Sequence, residues 1–434
     1  MKSSAQIDLF ADLNRFKIPR SNGVANKLDN SDRQFHDWYR FVLSFPPHLV
    51  RNYIDKFGLK PGQTILDPFC GTGTTIVEAK LHGINGIGIE QNSMAFFASN
   101  VKINWDLNAA ELIEHATEIA NDASEEIKKT NFDNLKILPT EQNKLLLKES
   151  ISPLPLHKAL ILKEWIDKQV NSKFYNHELL AFAKCLVFSI SNLHFGPEVG
   201  VKRKKKIDAP VVESWLAEIK LMAKDILNSH NNTTDSIIFN HDSRDLADIL
   251  KPNNVDAVFT SPPYPNEKDY TRTTRLESVM LGFIRNKKEL QLLKRGLLRS
   301  NTRNVYKGDD DDVWVDKNIE IQRIANDIEK KRIELGKTSG FEKLYGKVTK
   351  LYFGGMARHL SNLRPFLKPG TYLGYVVGDQ ASYLQILIKT GELLAEIAES
   401  LGYEIINIDL FRTRLSTTTR MQMREEVVVL RWPG

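Results

Sequence analysis

Residues 61–92 read PGQTILDPFCGTGTTIVEAKLHGINGIGIEQN, and their pattern decides the fold class. Thr64 to Leu66 read as a short buried strand and Cys70 to Thr74 as a glycine-containing turn. Thr75 to Leu81 read as a helix offering Ile76, Val77 and Ala79 for burial, and Ile84 to Ile89 as a second strand that ends in Glu90. A strand, loop, helix and strand in this order form the repeating unit of an α/β protein. Gly71 and Gly73 let the backbone approach a ligand closely, and a carboxylate at the tip of the second strand can accept hydrogen bonds from ribose hydroxyls. The turn lacks the third glycine of a dinucleotide fingerprint and the Gly-Lys-Ser/Thr ending of a P-loop, so nicotinamide and ATP readings lose ground.

A second punctuation follows the apolar segment VDAVF: TSPPY, residues 260–264, running into PNEKDY. Two consecutive prolines, Pro262 and Pro263, fix a stiff, extended backbone just past a strand end. Carbonyls with no ladder to join then face the cleft beyond the carboxyl ends of the strands, where open α/β sheets bind ligands. Ser261 stands before the prolines and Tyr264 after them.

The composition is that of a soluble globular chain of two or three domains: 434 residues, 41% hydrophobic and 26% charged, with a formal net charge of +6. This mild basicity suits a nucleic-acid partner without demanding one. Two cysteines, Cys70 and Cys185, exclude a disulfide framework and a zinc constellation, and point to a reducing compartment. No run approaches the roughly 20 apolar residues of a membrane span, and the first residues carry no apolar leader segment, so a cytoplasmic protein without membrane contact is expected.

DPFCGTGTT closely resembles the S-adenosylmethionine motif of amino-methylating DNA methyltransferases, and TSPPY resembles the catalytic loop of the same family. FHDWYRFVLSFPPHLVRNYID, residues 35–55, sits where that family has a segment closing over the cofactor's methionine end, and FNHDSRDL, residues 239–246, also matches; the resemblance covers roughly 180 residues. It implies a Rossmann-like class I methyltransferase fold, α/β, with a seven-stranded, mostly parallel sheet and an antiparallel last strand. TYLGYVV (371–377) reads as a buried strand, LQILIKTGELLAEIAESLG as a helix, and EIINIDLF with EEVVVLRW as a closing strand pair. Carried over by position, Asp67, Phe69, Gly71 and Gly73 would line the cofactor's amino-acid moiety, Glu90 its ribose, and Asp242 would bond the adenine amino group. Phe45, Cys70, Thr74 and Gln91 complete the expected cofactor set, and Ser261, Pro262, Pro263 and Tyr264 would hold the target base.

The chemistry explains the residue types. The lone pair of an exocyclic amine is delocalised into the base, so two acceptors aimed at its hydrogens, the Ser261 hydroxyl and the Pro262 carbonyl, would favour a pyramidal nitrogen. Tyr264 would stack on the base, and in-line attack then depends mainly on positioning, which can be worth roughly 7–11 kcal/mol. Members with Ser before the prolines tend to methylate cytosine N4, and those with Asp or Asn adenine N6; Ser261 favours cytosine, with adenine as the alternative. An RNA guanine-N2 methyltransferase and a non-catalytic DNA-recognition subunit are the other readings.

Duplex DNA hides the attacked atom, so the base must be turned out, and something else must grip the DNA. The chain divides into residues 1–108 (cofactor-closing segment and first part of the methyltransferase domain), a helical insertion at 109–234, the catalytic-loop segment 235–271, a second insertion at 272–347, and the end of the domain at 348–434. Lys202, Arg203, Lys204, Lys205 and Lys206 form a basic run suited to phosphates. Arg299, Asn301, Arg303 and Asn304 carry side chains that read base edges. GDDDDVW (308–314) reads as an exposed turn rather than a metal site, His36 as a local hydrogen-bonding residue, and no metal is expected. No nuclease constellation stands out, so any restriction endonuclease partner would be a separate chain.

Overall fold

The computed structural model describes residue 28 and residues 32–41, 44–131, 133–195, 198–229, 234–415 and 422–434. The segment 61–92 folds as β1 (Thr64–Asp67), the helix Thr74–Leu81 and β2 (Asn85–Ile89), each within a residue of its sequence expectation. A two-stranded ribbon, β3 (Leu193–Phe195) with β4 (Val199–Val201), lies inside the first insertion. Then follow β5 (Ser236–Phe239), β6 (Val255–Thr260), β7 (Leu367–Gly378), β8 (Glu404–Leu415) and β9 (Gln422–Arg431).

Seven of these form one sheet in the order β5-β2-β1-β6-β7-β9-β8. Every pairing from β5 to β7 is parallel, and β9 runs antiparallel to both its neighbours, with Val376 opposite Val427 and Ile408 opposite Val428. The central strands β1 and β6 are mostly apolar because both faces are covered, whereas the edge strand β8 is largely exposed and carries charges. Ile65, Ala257, Phe259, Val376 and Val427 point to one side, against Leu49, Val50 and Tyr53 of the helix Pro47–Lys56. Their neighbours Leu66, Val258, Tyr375, Val377 and Val428 point to the other, against the helices Tyr345–Leu363 and Thr390–Ser400.

The helical expectation for the first insertion holds: Ala109–Lys128, Pro153–Asp167, Tyr175–Cys185 and Val211–Leu227 pack around the wholly buried Trp215, whose indole N–H donates to the Glu178 carbonyl at 2.9 Å. Their core is continuous with Ile76, Val77, Met94 and Ala98, so the insertion is fused to the sheet's own helices. Among the described residues no helix is long and apolar enough to cross a membrane.

Two sequence expectations need correction. The helix read over LQILIKTGELLAEIAESLG begins only at Thr390, because Leu384 and Gln385 adopt positive φ and Ile388 bridges back to Gln380. The aspartates of GDDDDVW are not simply an exposed turn: Asp311 is buried between Arg244 and Arg358, and Asp309 pairs with Arg299. The Asp311 carbonyl comes so close to the helix Tyr345–Leu363 that a Cβ on Gly354 would lie 1.9 Å from it, which explains the glycine there.

Candidate active site

The order β2-β1-β6 brings three loops to one end of the sheet, those following Ile89, Asp67 and Thr260. They open on one cavity of about 530 Å³, within the range of small-molecule sites. Phe69, Cys70, Gly71, Thr74, Glu90 and Gln91 line it on the β1–β2 side, Ser261, Pro262, Pro263 and Tyr264 on the β6 side, and Phe45 lines it from the N-terminal segment. Phe41 and Ser44 of the same segment join Phe45.

Glu90 is set for a polyol. Its Oε2 accepts from the Gly71 N–H at 2.8 Å and its Oε1 from the Asn92 N–H at 2.7 Å, leaving each oxygen further acceptor capacity on the cavity side. Burial pushes its pKa up to about 7 against the pull of those two N–H groups. Gly71 holds φ +51°, in the region where a side chain is strained. This cradle, the aromatic roof of Phe41 and Phe45, and a buried, unpaired Oδ1 on Asn304 in the wall fit a ligand with a ribose, an aromatic part and hydrogen-bonding groups.

Asp67 and Gly73 do not line the cavity. Asp67 is wholly buried; its Oδ1 accepts from Thr260 Oγ1 at 2.6 Å and the Phe69 N–H at 3.2 Å, and its Oδ2 is buried without a partner. It ties the end of β1 to the end of β6, and burial raises its pKa to about 6. Gly73 sits at φ +81° with Ser99 2.9 Å from where its Cβ would be, so it lets the turn pack closely on the helix Ser93–Lys102. Asp242 is also engaged elsewhere: its carboxylate takes the Arg244 backbone N–H and guanidinium, and the flanking His241 and Ser243 face the cavity instead.

On the β6 side the Ser261 hydroxyl donates to the Val376 carbonyl at 3.0 Å. A carbonyl can only accept, so the serine proton is committed there and its oxygen is left as an acceptor, which the Tyr264 hydroxyl also reaches. Tyr264 packs over Gly378, where a Cβ would lie 3.0 Å from its ring, and burial beside Glu425 raises its pKa, which keeps the phenol neutral.

Residues 32–41 strap the site together. Asp225 accepts from the Phe35 N–H at 3.0 Å and the Trp38 indole at 2.9 Å, and His36 bonds Glu78 at 2.8 Å, the local role expected of it. The Tyr39 hydroxyl donates to Glu277, whose second oxygen is buried without a partner and whose pKa burial raises to about 7. The buried Lys102 ammonium donates to the carbonyls of Thr72 (2.8 Å) and Tyr39 (3.3 Å), joining the loop after β1 to the strap; burial lowers its pKa to about 7.

The expected base-reading group is mostly internal. Arg299 is buried and gives its guanidinium to Asp309 and the Lys294 and Arg295 carbonyls; Asn301 is buried, caps the turn Thr302–Asn304 and donates to Lys268. Arg303 remains exposed, and Asn304 faces the cavity. In the basic run Lys202, Arg203 and Lys204 are exposed, whereas Lys205 bonds the Lys202 carbonyl and Lys206 the Ser189 carbonyl. Lys268, Arg412, Arg414 and Glu425 also line the cavity. The alternation in FRTR, which sends Arg412 and Arg414 to one face of β8, was a readable signal for two of them.

A sequence model of the family described as DNA methylase matches residues 16–99. The Type II methyltransferase M.BsoBI of Geobacillus stearothermophilus is 28% identical over 440 residues, spanning 93% of this chain and 85% of that one. The Type II methyltransferase M.AvaI of Nostoc sp. is 24% identical over 468 residues, spanning 98% and 92%. A shorter similarity, 36% over 77 residues, covers 18% of this chain and 23% of the tRNA (guanine(10)-N2)-dimethyltransferase of Methanothermobacter thermautotrophicus. The family model and the two Type II methyltransferases support a DNA amino-methyltransferase, for which the implied methyl donor is S-adenosylmethionine.

Proposed function

We propose that this chain is a site-specific DNA methyltransferase that modifies the exocyclic amine of a base turned out of the duplex, cytosine N4 in preference to adenine N6. The observation that carries the reading is that the Gly71–Glu90 cradle and the Ser261–Tyr264 loop open on the same cavity from adjacent strand ends. When bound, S-adenosylmethionine supplies an electrophilic methyl group on a sulfonium. Glu90, the loop Phe69–Gly71 and the ring of Phe45 would hold it, while Asp67 and Lys102 fix the loops from behind.

The Ser261 oxygen and the Pro262 carbonyl accept the two N–H bonds of the target amine and turn its lone pair out of conjugation. Tyr264 offers a neutral aromatic face for stacking, which offsets part of the few kcal/mol that unstacking the base costs. The amine becomes acidic only once methylated, so its proton leaves late, to water, and no strong base is required beforehand. Ser261, where an aspartate or asparagine would favour adenine, supports cytosine. A restriction endonuclease acting on the same site would be a separate chain.

The test incubates the protein with isotopically labelled S-adenosylmethionine, mixed-sequence duplex DNA and, in parallel, total RNA, and identifies the labelled nucleoside by mass spectrometry. Label in N4-methylcytosine is expected. N6-methyladenine would keep the mechanism and overturn the choice of base. Label confined to N2-methylguanine in RNA, a reading favoured only by the 77-residue similarity, would overturn the substrate, and cofactor binding without transfer would leave a DNA-recognition subunit.

A further inference from the structure

Beside the catalytic cavity lies a second, of about 280 Å³, whose walls hold more positive charge than the fold neutralises. Arg272, Arg275, Lys294 and Arg303 face it, with Asp269 as the carboxylate among its lining residues. Asp269 is already taken: Lys294 pairs with it at 2.7 Å, and the Thr271 hydroxyl donates to it at 2.7 Å. Arg272 reaches Glu198 only at 3.6 Å, and its Nε is buried without a hydrogen-bond partner. Arg275 donates to the Thr271 and Leu145 carbonyls and to the Thr271 hydroxyl, neutral acceptors that leave its charge uncompensated. Arg303 is exposed at this cavity and makes no ion pair among the described residues. Burial holds Arg275 below its ordinary pKa, with Asp269 opposing and Arg272 adding to the shift. Guanidinium groups crowded in a partly dry pocket, one with an unused N–H, are stabilised by an anion that takes those hydrogen bonds.

The position indicates which anion. Asp269 lines this cavity and the next residue, Tyr270, the catalytic one; Glu198 faces the catalytic cavity and pairs with Arg272 of the second. The two cavities therefore share a wall, and a nucleotide whose base enters the first carries its phosphates across that wall. We propose that the second cavity binds a backbone phosphate of the DNA strand beside the extruded nucleotide, gripped by Arg272 and Arg303 with Arg275 behind. The inference rests on the DNA reading above, and it moves Arg303 from reading a base edge to holding a phosphate. Arg suits this use because its planar fork matches two phosphate oxygens at once.

The test measures DNA affinity against salt concentration for the parent, Arg303→Gln, Arg272→Gln and Arg303→Lys, with Arg323→Gln, an exposed helix residue paired with Glu320 and Asp327, as control. Losing one phosphate contact should weaken specific and non-specific duplexes alike and flatten the slope of log K on log salt by about one. Arg303→Gln and Arg272→Gln should show this; Arg303→Lys should keep most of the slope, and the control all of it. Unchanged slopes in both glutamine variants of a protein that methylates DNA would overturn the site and leave the function standing. A parent that neither binds nor methylates DNA would overturn both. Inorganic phosphate at matched ionic strength, read as a rise in Tm, supplies the remaining arm: a rise in the parent, lost in Arg303→Gln but with no change in DNA slope, would mean a free-anion site and overturn the proposal.

Discussion

Ser261 illustrates how one hydrogen bond sets a chemical role. Because its proton is held by the Val376 carbonyl, its oxygen is an acceptor before any substrate arrives. Ser261→Ala should lower kcat by about a hundredfold, the scale for losing one aligned polar group at a reacting centre. Its cofactor Kd, measured by calorimetry, should stay within about twofold, and equal weakening of both would contradict the assigned role. Glu277 gives a prediction in pH. Its pKa rises from 4.5 to about 7 on folding, so between those values the folded chain keeps a proton that the unfolded chain releases. The stability this group contributes is present in full below the lower value and is lost as pH rises to the upper one. Glu277→Gln stays neutral, so its Tm should fall less than the parent's between about pH 5 and about pH 8, by an amount worth about 1–3 kcal/mol; parallel curves would refute the shift.

The strap 32–41 and the loop after β1 act as one element because Lys102 bonds a carbonyl of each. Lys102→Met keeps most of the volume but leaves the Thr72 and Tyr39 carbonyls without their donor, which should cost about 1–3 kcal/mol in chemical denaturation. It should also raise the cofactor Kd more than it changes kcat, since the loop it steadies binds rather than reacts. Gly73→Ala should destabilise the chain by at least about 1 kcal/mol through φ and the contact with Ser99, and normal stability would show that the turn can relax. Elements with strong local signals, such as β1, the helix after it and β2, were legible to within a residue. The span 384–400 was not, because its apolar periodicity continues through a turn that the Gln380–Ile388 bridge imposes from outside.

At the scale of the molecule, the proposed function requires DNA to meet the mouth of the 530 Å³ cavity, where charge is spread over several elements. Lys202, Arg203 and Lys204 are exposed and their two neighbours are tied to the fold. We propose that these three contact DNA phosphates: replacing all three with glutamine should lower affinity and reduce the salt slope by up to about three, and an unchanged slope would remove the run from the DNA surface. The aspartates of GDDDDVW act on the whole fold, since Asp311 anchors the second insertion to Arg244 after β5 and to Arg358 on the helix Tyr345–Leu363.

What the sequence determined by itself was whatever depends on neighbours in the chain: the β-loop-α-β unit, the stiff double-proline loop and the carboxylate after the second strand; the seven-stranded sheet and the site residues were what the resemblance implied. Only the tertiary structure decided how side chains of ordinary appearance are used. Asp242 looks like a ligand contact but spends its carboxylate on Arg244, Asp67 gives one carboxylate oxygen to Thr260, and Arg299 looks like a base reader but is closed on Asp309. Arg272 and Arg303, 31 positions apart in sequence by their numbers, meet in one under-neutralised cavity. The physical reason is that a charged or polar group is defined by its partners, and partners distant in the chain are chosen by packing.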